Sequence, residues 1–156
     1  MTKKLILLVD SDENSLKDLK SQEDYSVIPV SNAAHGLTAL EKHKRWGGLA
    51  KNDIQCILLS SNLPETNPFN FLRTWQKTEY YSHRIPVILL IEESNIDVWK
   101  QIIHPDNGII TDVLTKPLHI PIVLDRLRSI LVQNETQFLY RRTRERAIQF
   151  LLDHKE

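Results

Sequence analysis

Few side chains in this 156-residue chain combine a reactive group with a position where chemistry is done. Ser60 comes first: Ile57-Leu58-Leu59 leads into it, and Ser61-Asn62-Leu63-Pro64 turns the chain away after it. An unbroken apolar run of this kind reads as a strand covered on both faces, the central strand of a parallel sheet. Ligand and chemical sites of open α/β sheets lie just beyond the carboxyl ends of such strands. Asp10, Ser11 and Asp12 close the apolar run Leu5 to Val9, and Thr115-Lys116-Pro117 closes another that starts at Ile109.

The remaining reactive groups have plainer readings. Cys56, the single cysteine, lies inside the central strand and reads as a buried structural thiol in a reducing cytoplasm. His35, His43, His83, His104, His119 and His154 show no paired spacing that suits a metal, so no metal site is expected from them. Arg141, Arg142, Arg144 and Arg146 form the one concentrated basic run. A patch for nucleic acid or an acidic partner is one reading. The solvated face of an amphipathic helix, diluted by Glu135, Glu145, Asp153 and Glu156, is the preferred one. Lys+Arg and Asp+Glu balance at 20 each, and a near-neutral chain gains little phosphate affinity, so nucleic acid is not the expected partner. Asp10 and Asp12 cut the N-terminal apolar run too early for a signal peptide, and nothing approaches a membrane span. A soluble cytoplasmic protein without a membrane partner is expected.

The elements that must position these groups alternate along the chain. After Val9, Ser11 or Asp12 reads as the N-cap of a helix with Leu16 and Leu19 inward. Tyr25 to Val30 is a strand, and Ser31-Asn32 caps a helix with Leu37 and Leu40 inside. A loop around Trp46-Gly47-Gly48 precedes the central strand from Ile54. Asn67-Pro68 starts a helix carrying Phe71, Leu72 and Trp75. Pro86 to Ile91 is a strand, and Ser94-x-x-Asp97 resembles a capping box before Ile96, Trp99, Ile102 and Ile103. His104-Pro105 stops that helix, Asp106-Asn107-Gly108 turns, and Ile109 to Leu114 is the fifth strand. A last core helix runs from Pro121 through Leu131. Five strands and five helices give a flavodoxin-like, doubly wound α/β fold, with a five-stranded parallel sheet ordered 2-1-3-4-5.

The expected division is a domain over 1–133 and a C-terminal helical extension over 134–156. Leu124, Leu127, Leu131, Phe138, Ile148 and Leu152 follow an imperfect heptad interrupted by Asn134, Arg141 and Glu145. Either one long helix projects from the domain, or a separate helix packs back. Ile120, Leu124, Leu127 and Leu131, with Val123 and Ile130, make the fifth helix apolar over more than one face. That surplus, with Phe138, predicts an interface for a second copy or another protein.

Five stretches carry a resemblance: Leu7-Leu8-Val9-Asp10; Val30-Ser31-Asn32 with Leu37 and Leu40; Leu58-Leu59-Ser60-Ser61-Asn62-Leu63-Pro64; Ile85-Pro86-Val87-Ile88-Leu89-Leu90; and Leu114-Thr115-Lys116-Pro117. In this order and spacing the chain resembles the receiver domain of bacterial two-component response regulators, from about Lys3 to Leu131. The resemblance implies an aspartate after the central strand that accepts a phosphoryl group from phosphohistidine. It also implies two acids after the first strand for Mg²⁺, a hydroxyl after the fourth and a lysine after the fifth. Here those positions hold Ser60, Asp10 with Ser11, Ile91 (followed by Glu92) and Lys116, and the aromatic switch position holds Val113. A serine hydroxyl is a poor nucleophile without an adjacent base. One carboxylate is a thin donor set for Mg²⁺, with Asp12 one residue further on as the candidate rescuer. Lys116 is left to hydrogen-bond Ser60 or pair with Asp10.

The expectation is a degenerate receiver: not an enzyme, without cofactor or metal, acting by protein–protein contact with a histidine kinase or an output protein, and forming a homodimer. The alternatives are a working phosphorelay regulator with an altered pocket, and a regulator whose arginine-bearing helix contacts DNA.

Overall fold

The computed structural model describes residues 3–12, 14–45, 52–78, 85–102 and 110–153, excepting the side chains at 100–102, 137–143 and 145. Five strands are present: β1 (Lys4–Val9), β2 (Tyr25–Val30), β3 (Ile54–Ser60), β4 (Val87–Glu92) and β5 (Asp112–Lys116). They form one parallel sheet in the order β2-β1-β3-β4-β5, as the sequence predicts. The helices are α1 (Ala33–Lys42), α2 (Pro68–Thr78), α3 (Ile96–Ile102) and α4 (Ile120–Asp153), with a 3-10 helix at Lys17–Ser21.

Alternation along the strands splits the core into two layers. Leu7, Val9, Ile57, Leu59, Leu89 and Ile91 face α1 and α2, meeting Leu40, Phe71, Leu72 and Trp75. Ile6, Leu8, Cys56, Leu58, Ile88 and Leu90 face the other way, against Leu16, Leu19, Val123, Leu127 and Leu131. Each fully buried aliphatic side chain contributes roughly 1.5–3 kcal/mol of transfer free energy, so the all-apolar strands both specify and stabilise the central position. Gly36 sets the approach of α1: an added Cβ would lie 2.9 Å from Cε2 of Phe71 and 3.2 Å from Cγ2 of Val9.

Caps explain where α1 and α2 start. The Asn32 side chain accepts from the His35 amide at 2.8 Å, and the Asn67 side chain accepts from the Asn70 amide at 2.9 Å. Both satisfy amides that a first helical turn leaves without partners.

Three sequence expectations differ from the structure. Ser11 and Asp12 cap no α-helix. Asp10 Oδ1 accepts from the Asp12 amide and Asp12 Oδ1 from the Asn14 amide, each at 3.0 Å, and these side-chain turns hold the backbone out of helical geometry. Leu16 then takes a left-handed φ of 55°, and only a 3-10 helix follows. Its burial, with that of Leu19, offsets the strain of that conformation.

Ser94 is no cap either; it lies within a 3-10 turn, Glu93–Asn95, that precedes α3. β4 and β5 are each displaced toward the C-terminus, ending at Glu92 and Lys116. Near Asn134, where the sequence leaves one long helix or a separate one open, the chain does not break. α4 is one helix of 34 residues, about 51 Å long at 1.5 Å per residue. Its first half packs on the sheet, whereas Ile148, Phe150, Leu151 and Leu152 are 48–68% exposed.

Trp75 is buried, and Trp99 stacks at a tilt on Phe69, ring centroids 5.8 Å apart. Trp46, the His104-Pro105 stop, the Asp106-Asn107-Gly108 turn, His83 and His154 lie outside the described residues. Among the described residues no helix is long and apolar enough to cross a membrane.

Cys56 is fully buried, and that burial pushes its thiol far above the ordinary value of 9.0. The folded protein should therefore resist an aromatic disulfide reagent at pH 8, whereas one thiol per chain should titrate in urea. Because the folded thiol holds its proton more tightly, its contribution to stability is whole below pH 9.0 and falls as pH rises beyond it. Rapid labelling of native protein would contradict the burial.

Candidate functional site

Three strand ends converge on one ammonium group. β1 delivers Asp10, whose amide donates to the Val30 carbonyl at 3.0 Å, so the neighbouring strand fixes its backbone. β3 delivers Ser60, fully buried, with the next amide, that of Ser61, donating to the Leu90 carbonyl at 2.8 Å. β5 delivers Lys116, in register with Glu92 of β4, and the Lys116-Pro117 peptide is cis.

Lys116 Nζ lies 3.0 Å from Asp10 Oδ2 and 3.8 Å from Glu92 Oε1, and it donates to Ser60 Oγ at 3.3 Å. The burial of these partners is unequal. The Asp10 side chain is 2% exposed and that of Lys116 15%, but that of Glu92 is 41% exposed. The pair with Asp10 is therefore the strong contact, and the one with Glu92 is screened by solvent. Asp10 Oδ2 has the ammonium beside it yet no hydrogen-bond partner, so this contact is charge against charge, off the axis of an N–H bond. Asp10 Oδ1 is taken by the Asp12 amide.

Ser60 Oγ accepts from the Asn62 amide at 3.2 Å and from Lys116. Neither partner is a base, so nothing there draws the proton off the hydroxyl. Ser11 lies outside this network; its hydroxyl donates to the Asn62 carbonyl at 3.5 Å. Ile91 sits in the apolar layer with Leu63 and Phe71 and offers the pocket no polar atom. Asp12 points into its own turn, toward the Asn14 amide.

With Lys116 in place, a divalent cation does not fit this donor set. Mg²⁺ needs near-octahedral oxygens supplied by carboxylates and water. The one buried carboxylate already faces an ammonium at 3.0 Å, and among the described residues no three His, Cys, Asp or Glu side chains gather as ligands.

Glu92 is the residue that the sequence reading noted without giving it a part in the site. Its signal was the pairing of β4 with β5, which brings Glu92 level with Lys116. The residues predicted to form an interface are placed unevenly. Leu127 and Leu131 are buried in the chain's own core, Ile120 and Leu124 pack against its edge, and Phe138 lies outside the described side chains. Of the arginine run, Arg144 and Arg146 are exposed, and Arg141 and Arg142 are outside the described side chains.

No protein-family model matches the chain. An uncharacterised transcriptional regulatory protein of Bacillus subtilis, YkoG, is 31% identical over 140 residues, covering 88% of this chain and 55% of YkoG. The chain thus spans about half the length of that relative. Among solved structures it is similar to a response regulator receiver domain protein from Clostridium thermocellum, with a TM-score of 0.67 and 16% identity, over 85% of this chain and 98% of that one. The signal receiver domain of an HD domain-containing protein from Pseudomonas fluorescens gives a TM-score of 0.67 at 23% identity, over 88% and 93%. NtrX from Brucella abortus gives 0.74 at 16% identity, over 94% of this chain and 30% of NtrX. The fold is that of receiver domains.

Removing one partner of a buried ion pair leaves the other uncompensated, at a cost of about 3 kcal/mol. Lys116→Met should therefore lower unfolding stability in urea by about that much, and adding Asp10→Asn should restore most of it. Independent, additive losses in the double variant would show that the two charges do not interact.

Proposed function

We propose that this chain is a signalling module of the receiver type that takes no phosphoryl group and acts through protein–protein contact. The observation that carries this reading is Ser60 at the exit of β3, buried and held by two donors. An acyl phosphate needs a carboxylate there, and a serine used instead needs a base that none of the Ser60 contacts supplies. The pocket favours a metal-free, non-enzymatic role, since its buried carboxylate is already neutralised by Lys116. Similarity to receiver domains and to a transcriptional regulatory protein supports a place in two-component or related signalling. A histidine kinase or an output protein is the partner class.

Incubation with acetyl phosphate and Mg²⁺, followed by intact mass measurement, tests the chemistry. The expected spectrum is unchanged; a stoichiometric gain of one phosphoryl group would falsify the reading.

The second half of α4 supplies the contact surface, and the occupant favoured is a second copy of the chain. Ile148, Leu151 and Leu152 share one side of the helix at spacings of three and four, the pattern of a helix-pairing face. The domain of residues 1–133 would then carry residues 134–156 as its dimerisation arm. Light scattering should report a dimer for the full chain and a monomer for a chain ending at residue 133. Monomers in both cases would remove the dimer.

A further inference from the structure

We infer that Lys116 is the resident cation of the pocket, a built-in ammonium standing where two carboxylates would otherwise recruit a divalent ion from solution. Asp10 and Glu92 both lie within 4 Å of its Nζ, at 3.0 and 3.8 Å, with the Ser60 hydroxyl at 3.3 Å on the same nitrogen. Without the ammonium, the buried Asp10 carboxylate would be left uncompensated, with the partly exposed Glu92 carboxylate and the Ser60 hydroxyl facing the same position. Asp10 is the demanding member. Its side chain is 2% exposed, and its Oδ2 has no hydrogen-bond partner among the described residues, so Lys116 is the group there that balances that oxygen. A buried carboxylate in that position must be paired, protonated or metal-bound.

An ammonium and a small divalent cation compete for the same oxygens by different rules. Lys116 is a compact point charge on a tether, already held beside both carboxylates, so a dissolved ion has to displace it. It also brings its own N–H donor to Ser60, which a metal cannot do. A cation such as Mn²⁺ or Mg²⁺ needs only one or two carboxylates and completes its shell with water. Asp10, Glu92 and the Ser60 hydroxyl meet that requirement once the ammonium is gone. This inference rests on the reading of the pocket as inert to phosphoryl transfer. It adds that the inertness comes from an occupied cation position as well as from the missing acceptor carboxylate.

Melting temperatures of the wild-type chain, Lys116→Met, and Lys116→Met with Asp10→Asn, each in EDTA and in a Mn²⁺ series at fixed ionic strength, test it. The wild type is expected to be indifferent to Mn²⁺. Lys116→Met should melt lower in EDTA and gain about 3 °C or more once Mn²⁺ reaches about ten times its dissociation constant. The double variant should lose that gain. Lys116→Gln is the second variant, and electron paramagnetic resonance of Mn²⁺ counts bound ions in both. If neither variant folds in EDTA, folding restored by Mn²⁺ supports the inference and no restoration overturns it. Mn²⁺ stabilising the wild type, or no Mn²⁺ bound by the folded single variants, also overturns it. A phosphoryl gain in the mass experiment tells against the functional reading instead, so the two failures are distinguishable.

Discussion

A buried charge pair, Asp10 with Lys116, ties this end of the molecule together. Hydrophobic packing holds the sheet strand by strand and anchors the loops at its carboxyl edge through Leu16 and Leu63, but it does not reach the strand ends Asp10 and Lys116. The pair joins the end of β1 to the end of β5, which lie on opposite sides of the central strand, and Ser60 joins β3 to the same nitrogen. Because Asp10 cannot be left unpaired in its buried position, the three strand ends have one low-energy arrangement. Where a mobile ligand could enter and leave, a tethered group stays.

The consequence for the long helix follows from chain connectivity. α4 begins four residues after Lys116. The segment between them carries the cis Lys116-Pro117 peptide, and the His119 carbonyl accepts from the amides of Ile122 and Val123 at the helix start. Whatever orders Lys116 therefore orders the base of the longest helix. A pocket whose cation is supplied by the chain itself thus holds that base in a standing position.

Much of the fold was legible in the sequence because apolar runs of strand length, bounded by turn residues, are a clear physical signal. Leu5 to Val9, Ile57 to Leu59 and Pro86 to Ile91 read as buried strands on that ground, and their parallel order follows from the helices between them. Asn32 and Asn67 likewise announced α1 and α2, since a side-chain oxygen before an apolar-periodic stretch has one obvious use. The two failed caps share a cause. Ser11, Asp12 and Ser94 are residue types whose side chains can bond nearby amides, and local composition does not say whether the outcome is a cap or a turn. At Asn134 the sequence left two readings open, and the continuous helix is the one formed. Asn52 shows what no pattern reveals: buried in a polar stretch, it bridges the Leu40 carbonyl and the Ile54 amide and so ties the end of α1 to the start of β3. At the site, Ser60 and Lys116 could be placed from strand ends alone. The part of Glu92 could not, because it depends on the cross-strand register.

α4 has one further mechanical property. From residue 132 to Asp153 it extends about 33 Å past its packed half with no break in the helix. A rod of that length has no joint at which to dissipate a rotation, so a tilt of about 10° at its root displaces its tip by about 6 Å. Ile148, Phe150, Leu151 and Leu152 sit at that tip. Small adjustments in how Val123 and Leu127 seat on the sheet are in this way geared up to distances comparable with a whole helical turn.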